Sequence, residues 1–122
     1  MGKLGFDIEI CEAHHRGKRD APSGTAKHLA DAIAETLTRA RPIFHRDGGR
    51  LPGEIGIHSV RGGGVFGEHE VRLLGDNEEL AVTHRALNRA IFARGALTLS
   101  RWLLAQRAGF YTLDDVEIEA LG

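Results

Sequence analysis

The feature that most limits what this chain can fold into is a change of hydrophobic period across one short segment. Phe6-Asp-Ile-Glu-Ile-Cys-Glu12 alternates apolar and acidic residues at period two, the pattern of a strand with one buried face. From Ala26 the apolar positions Ala26, Leu29, Ala30, Ile33, Ala34 and Leu37 follow i, i+3, i+4, i+7, the spacing of an amphipathic helix. A strand must therefore end and a helix begin between Glu12 and Ala26. Ser23 or Thr25 can cap that helix, and Arg39 and Arg41 suit its C-terminal end.

Downstream of a polar, glycine-containing stretch at 46–53, Glu54-Ile-Gly-Ile-His-Ser-Val-Arg61 and Glu68-His-Glu-Val-Arg-Leu-Leu74 read as two strands. The glycine-rich turn between them makes a hairpin the simplest arrangement. Asp76-Asn-Glu gives a second turn, and Glu79-Leu-Ala-Val-Thr-His84 another alternating strand. Asn88 can cap a second helix. Its Ile91, Phe92, Ala96, Leu97, Leu99, Trp102, Leu103 and Leu104 are apolar all round, so it needs cover on more than one side. The tail at 109–121 is expected to add a short helix or strand. Four strands and two main helices make an α+β (α/β) fold.

A length of 122 residues with 42% hydrophobic content suits one globular domain, residues 1–122, with its own core. The formal charge of -1 gives no general attraction to nucleic acid or a membrane surface. A charged ligand must then be held by a local cluster. Cys11 is the one cysteine, so no internal disulfide can form. No apolar run approaches the roughly 18 to 20 residues of a membrane span, and the start of the chain lacks a signal-peptide pattern. A cytoplasmic protein is expected.

Gly62-Gly-Gly-Val-Phe-Gly67 matches the spacing G-x-G-x-x-G. A dinucleotide site needs a strand before that motif and a helix after it, because the helix N-terminus carries the pyrophosphate. Here a strand pattern follows, so a turn is the reading. The segment from His14 to Thr25 differs, because it leads from a strand into a helix. Gly24 and Thr25 can offer backbone N–H groups, backed by the positive end of the helix dipole, as a cradle for carboxylate or phosphate. Lys18 adds a compact cation. His14 and His15 add imidazoles, the group most used for general acid catalysis near neutral pH. His58, His69 and His84 fall on strand patterns, but no metal-ligand spacing such as H-E-x-x-H accompanies them. Arg16, Lys18 and Arg19 lack the interleaved aromatics of a nucleic-acid surface.

At Glu12-Ala-His-His-Arg-Gly-Lys-Arg-Asp-Ala-Pro-Ser-Gly-Thr-Ala26 the sequence closely resembles dihydrodipicolinate reductase, an enzyme family of lysine and diaminopimelate synthesis. The resemblance continues through Gly53-Glu-Ile-Gly-Ile-His-Ser-Val-Arg-Gly-Gly63, Gly67-Glu-His-Glu-Val71, Thr83-His-Arg-Ala86, Arg89-Ala-Ile-Phe-Ala93 and Gly109-Phe-Tyr-Thr-Leu-Asp-Asp-Val116. It implies a C-terminal substrate-binding domain of a two-domain oxidoreductase whose N-terminal Rossmann domain binds NADPH or NADH. It also implies an open mixed four-stranded sheet with two main helices on one face, the sheet serving homotetramer assembly.

Carried over by that resemblance, His14 is the acid that protonates the substrate carbon after hydride transfer, and Lys18 its partner. His15, Lys18, Gly24 and Thr25 are the contacts to a cyclic dicarboxylate. Arg89 and Phe92 match positions near the nicotinamide, relevant only in a full-length parent. No Rossmann unit precedes Phe6 in this sequence, so the chain alone is expected to be inactive, with no cofactor of its own, and the residues at 116–121 to be loose or rearranged. The alternative is a purely structural assembly module whose anion loop is a remnant.

Overall fold

A computed structural model describes residues 5–121. Residues 1–4, the start read above as carrying no signal-peptide pattern, lie outside the described residues, as does residue 122. The chain divides into two compact units, Met1–Ala86 and Leu87–Gly122.

The first unit contains β1 (Asp7–His14), α1 (Gly24–Thr36), β2 (Arg41–Ile43), β3 (Glu54–Arg61), β4 (Glu68–Leu74) and β5 (Glu79–Arg85). The strands form one mixed five-stranded sheet in the order β2-β3-β1-β4-β5, one strand more than the sequence pattern predicts. The additional strand, β2, is three residues long, too short to show a period. Arg41, expected at the end of the first helix, belongs to it. That helix stops at Thr36, is closed by the Leu37 N–H donating to the Ile33 carbonyl at 3.1 Å, and has no basic residue in its last turn. Arg39 then takes a left-handed backbone, φ 70°, and the chain turns into β2.

The expected hairpin of β3 and β4 does not form. β1 lies between them, parallel to β3 (Ile8 opposite Ile55, Ile10 opposite Ile57) and antiparallel to β4 (Ile8 opposite Leu73, Ile10 opposite Val71). A glycine-rich turn signals only that the chain reverses. It does not say how many strands the loop crosses. Here the loop crosses the end of β1 and bonds to it, Gly62 N–H to the His14 carbonyl at 3.2 Å and Arg16 N–H to the Gly63 carbonyl at 3.1 Å. Residues 62–67 thus run from strand to strand. The hairpin of β4 and β5 does form, closed by Gly75 N–H on the Glu78 carbonyl at 2.8 Å.

Register explains the core. Ile8, Ile10, Ile55 and Ile57 share one sheet face and pack on Ala26 and Ala30 of α1, with Leu29, Ile33, Ala34, Val71 and Leu73 at the margin. Alanines on the buried side of α1 let the helix approach the isoleucines closely. Ser23 starts α1 as N-cap, its Oγ accepting the Ala26 N–H at 3.1 Å, as one of the two expected caps.

The opposite sheet face is ionic. Glu9 accepts from Arg46 at 2.7 Å, Arg50 at 3.4 Å and His58 at 3.1 Å, while Arg46 also reaches Glu54 at 3.1 Å. Arg85 pairs with Glu68 through two bonds of 2.9 and 3.0 Å, and Arg72 with Glu79 at 2.7 Å. Gly56 makes room for the first of these clusters, since a Cβ there would lie 1.8 Å from Glu9 Oε2 and 2.7 Å from Arg46 Nη2.

The second unit holds α2 (Ala90–Leu104) and two short 3-10 helices, Leu113–Asp115 and Ile118–Leu121. The Asn88 side chain accepts the Ala90 N–H at 2.9 Å. Trp102 meets Tyr111 edge to face at 5.5 Å, the Tyr111 hydroxyl donates to the Arg107 carbonyl at 2.6 Å, and Thr112 and Asp115 form a capping box. The tail is therefore helical rather than extended.

Gly56→Ala is expected to destabilise the first unit by about 1 to 3 kcal/mol, because the methyl group displaces the Glu9 carboxylate from Arg46. Urea unfolding measures it. A midpoint equal to that of the unaltered chain would mean the ionic cluster yields without cost.

Candidate functional site

The candidate site lies where β1 and β3 end and β4 begins, beside the start of α1. Its centre is a residue that the sequence pattern assigns no role. Glu12 continues the phase of Ile8 and Ile10 onto the helix-covered face, and it is buried, 1% exposed. An uncompensated carboxylate there would be prohibitive. Compensation comes from three residues through four bonds. Arg61 at the end of β3 donates to both oxygens, at 2.7 and 2.8 Å. The Ser23 N–H donates at 3.0 Å and His14 Nδ1 at 2.6 Å. Burial alone would raise the Glu12 pKa, but the hydrogen bonds of Arg61, His14, Ser59 and the Ser23 amide outweigh it and hold the group at about 2. Arg61, shifted upward chiefly by its bond to Glu12, stays charged.

His14 is thereby gripped through Nδ1. Its ring meets that of His69 edge to face, centroids 5.2 Å apart. His69 stands opposite Glu12 in the β1–β4 register, and its Nε2 lies 2.9 Å from Ser23 Oγ. Ser23 Oγ thus accepts the Ala26 N–H and shares a second hydrogen bond with His69. Burial, with the neighbouring His14 next, lowers the His69 pKa.

Lys18 closes a turn through its N–H on the His15 carbonyl at 3.2 Å, and its ammonium pairs with Asp20 at 2.9 Å. The Asp20 carbonyl in turn accepts from Arg61 at 2.8 Å, so Lys18 joins the same bonded network as Glu12 and His14. His15 sits on that turn with Nδ1 accepting the Gly17 N–H at 3.1 Å. Gly24 and Thr25 are exposed first-turn residues of α1, whose N–H groups have no partner within the helix. Nothing lies within 4 Å of where a Gly24 side chain would be, so the amide end stays open to a ligand.

The structure thus gathers His14, His15, Lys18, Gly24 and Thr25 on one loop and helix start. Arg89 and Phe92 belong to the second unit, at the first turn of α2, where the Phe92 N–H bonds the Arg89 carbonyl at 3.1 Å. Glu12, Arg61 and His69 were the omissions. Glu12 could have been found as the acidic residue that breaks an otherwise apolar strand phase. Arg61 and His69 come from other strands, and their proximity depends on a strand order that local pattern does not give. Among the described residues no group of three or more His, Cys, Asp or Glu side chains is gathered to hold a metal ion, and no helix is long and apolar enough to cross a membrane.

A depressed carboxyl pKa means that ionised Glu12 contributes stability above its ordinary 4.5, and that this contribution is lost as pH falls from there toward about 2. Glu12→Gln, which strands the Arg61 charge, should be less stable at neutral pH. The gap between variant and unaltered chain should narrow as pH falls through that window. Urea midpoints as a function of pH check this, and a gap independent of pH would contradict the assignment.

The family model for the C-terminus of dihydrodipicolinate reductase matches residues 1–116. Two curated relatives named 4-hydroxy-tetrahydrodipicolinate reductase are 51% identical over 117 residues, from Rubrobacter xylanophilus, and 47% identical over 116 residues, from Caldanaerobacter subterraneus subsp. tengcongensis. Each alignment covers 92% of this chain but only 45% and 46% of the relative. Among solved structures, a dipicolinate-bound dihydrodipicolinate reductase from Paenisporosarcina sp. TG-14 superposes with a TM-score of 0.71 at 30% identity, covering 91% of this chain and 44% of that one. The chain therefore spans a little under half the length of the relatives it matches, and it belongs to the dihydrodipicolinate reductase family as that family's C-terminal domain.

Proposed function

We propose that this chain, as a single domain of residues 1–122, binds the cyclic dicarboxylate substrate and drives oligomerisation of a 4-hydroxy-tetrahydrodipicolinate reductase, an NAD(P)H-dependent cytoplasmic oxidoreductase of lysine and diaminopimelate biosynthesis. The observation that carries the reading is the open amide end of α1 at Gly24 and Thr25, set on one loop with Lys18, His15 and the Glu12-bound His14. A planar dicarboxylate needs donors for its anionic oxygens. Two backbone N–H groups at a helix N-terminus take one carboxylate, and the Lys18 ammonium and His15 imidazole take further oxygens. The solved relative from Paenisporosarcina is bound to dipicolinate, a ligand of that class.

His14 then supplies the proton to the substrate carbon, with Lys18 as its partner. In a full-length member a nicotinamide cofactor would supply the hydride. Residues 62–67 do not fit a dinucleotide, because they connect two strands and no helix dipole faces the glycines. Arg89 and Phe92 are assigned a cofactor contact only within a longer parent. The 122 residues alone are expected not to oxidise NADPH, which an absorbance assay at high protein concentration checks directly.

Assembly as a homotetramer through the sheet is the second part of the proposal. It is supported by the Glu9, Arg72, Arg85 and Thr83 face, where charged and hydroxyl groups alternate across β1, β4 and β5, and by α2, none of whose residues is buried. Light scattering reads the assembly, and a monomer at micromolar concentration would contradict it.

Titration with pyridine-2,6-dicarboxylate tests the binding half. Binding is expected, and Lys18→Ala should weaken it by about 1.5 to 3 kcal/mol, the worth of a charge-assisted hydrogen bond. Unchanged affinity would remove Lys18 from the site. No detectable binding by the unaltered chain would leave the structural assembly module with a remnant loop.

A further inference from the structure

The residue proposed to deliver the proton has two ring nitrogens, and the geometry says which one is available. His14 Nδ1 lies 2.6 Å from Glu12 Oε2. That oxygen belongs to a carboxylate which Arg61 and the Ser23 N–H hold from the other sides, so it cannot rotate to follow the ring. A carboxylate so fixed can only accept. We infer that Glu12, anchored by Arg61, is the positioning residue of the reaction: it locks His14 in the Nδ1–H tautomer and leaves Nε2 as the one atom through which the proton passes.

The inference rests on the proposed role of His14, but the geometry behind it stands independently. A free neutral imidazole prefers its proton on Nε2, which would leave Nδ1 as the basic atom and make the ring face Glu12 lone pair to lone pair. The short contact excludes that state. Each proton taken up from solvent is then bound at Nε2 and released from Nε2, and the ring plane is fixed about the Nδ1–Glu12 axis, as carboxylate partners fix histidines in other catalytic sites. His69, edge-on to the ring at 5.2 Å, limits rotation of His14 further. Its own Nε2 is engaged by Ser23 Oγ at 2.9 Å.

Arg61 acts one step further back. Its two bonds to Glu12 and its bonds to the Val60 and Asp20 carbonyls, both 2.8 Å, fix the carboxylate relative to both β3 and the catalytic loop. The same arginine links the anchor to the segment that carries Lys18, so the proton donor and the cation share one rigid support.

Nitrogen-15 NMR of the imidazoles in the unaltered chain reads the tautomer without any ligand. Wherever the His14 ring is neutral, Nδ1 should be protonated and Nε2 bare. A dominant Nε2–H form would overturn the inference. The second arm is the charge-balanced double variant Glu12→Leu with Arg61→Met, which removes the acceptor and avoids leaving one buried charge alone. It should lose the Nδ1–H preference. Retention of that preference would show that something other than Glu12 sets it.

Dicarboxylate titration of the same proteins separates this idea from the function beneath it. If pyridine-2,6-dicarboxylate fails to bind the unaltered chain, the proposed substrate site is wrong, while the tautomer measurement still decides the role of Glu12. In a full-length parent carrying the double variant, turnover should fall by about 10-fold or more, toward the roughly 10⁴-fold loss seen when a catalytic histidine loses its orienting carboxylate. The KM for the dicarboxylate should change far less, because Gly24, Thr25 and Lys18 are untouched. Loss in KM alone would assign Glu12 and Arg61 a purely structural role.

Discussion

Taking a carboxylate out of water at the end of an apolar strand face costs several kcal/mol unless the protein replaces every hydrogen bond that water supplied. At Glu12 the replacement is nearly complete, and each replacement comes from a different part of the chain: Arg61 from the end of β3, the Ser23 amide from the start of α1, and His14 from two residues along β1. The full set of bonds therefore requires both β1 beside β3 and α1 in place. Once formed, it ties the loop after β1 to the sheet, because Arg61 also holds the Asp20 carbonyl. The geometry of the segment between β1 and α1 is tied to satisfying one buried charge.

That dependence explains the division of labour between the two faces of the sheet. On the helix-covered face the isoleucines of β1 and β3 make a dry core with Ala26 and Ala30, and polar groups enter only at the strand ends, where Glu12, Ser59, Arg61 and His69 follow in register. On the opposite face, charged residues recur along the strands and pair across them. Gly56 is the point at which the two demands meet, because β3 is buried at Glu54, Ile55, Gly56 and Ile57 alike. A side chain on Gly56 would occupy the space of the Glu9 carboxylate.

Much of this was legible in the sequence, and the reasons differ from element to element. β1 and α1 were readable because their periods are clean and α1 carries a serine cap. The β4–β5 hairpin was readable because Gly75-Asp-Asn-Glu78 is a short turn between alternating runs. The β3–β4 pairing was misread, because a turn reports chain reversal and says nothing of a third strand arriving from earlier in the chain. β2 was missed for lack of length. At the site, the loop residues His14, Lys18, Gly24 and Thr25 were visible because they are adjacent in sequence. Arg61 and His69 were not, because only the strand order β3-β1-β4 brings them to Glu12.

The nature of that invisible part bears on why it is ionic at all. A buried ion pair is poor evidence for stability, since apolar residues of similar volume often serve as well or better. Ile8 and Ile10 already show that this strand face accepts apolar side chains, so a third one at position 12 would have continued the core at no evident cost to the fold. What an apolar residue could not do is accept a hydrogen bond from His14 or receive the amide of Ser23 at the opening of α1. The helix start at Ser23 and the His14 imidazole are both tied to the same carboxylate. The charge at Glu12 is the cost of holding these two elements in fixed relation, with Arg61 opposing the upward pull of burial on the carboxyl pKa.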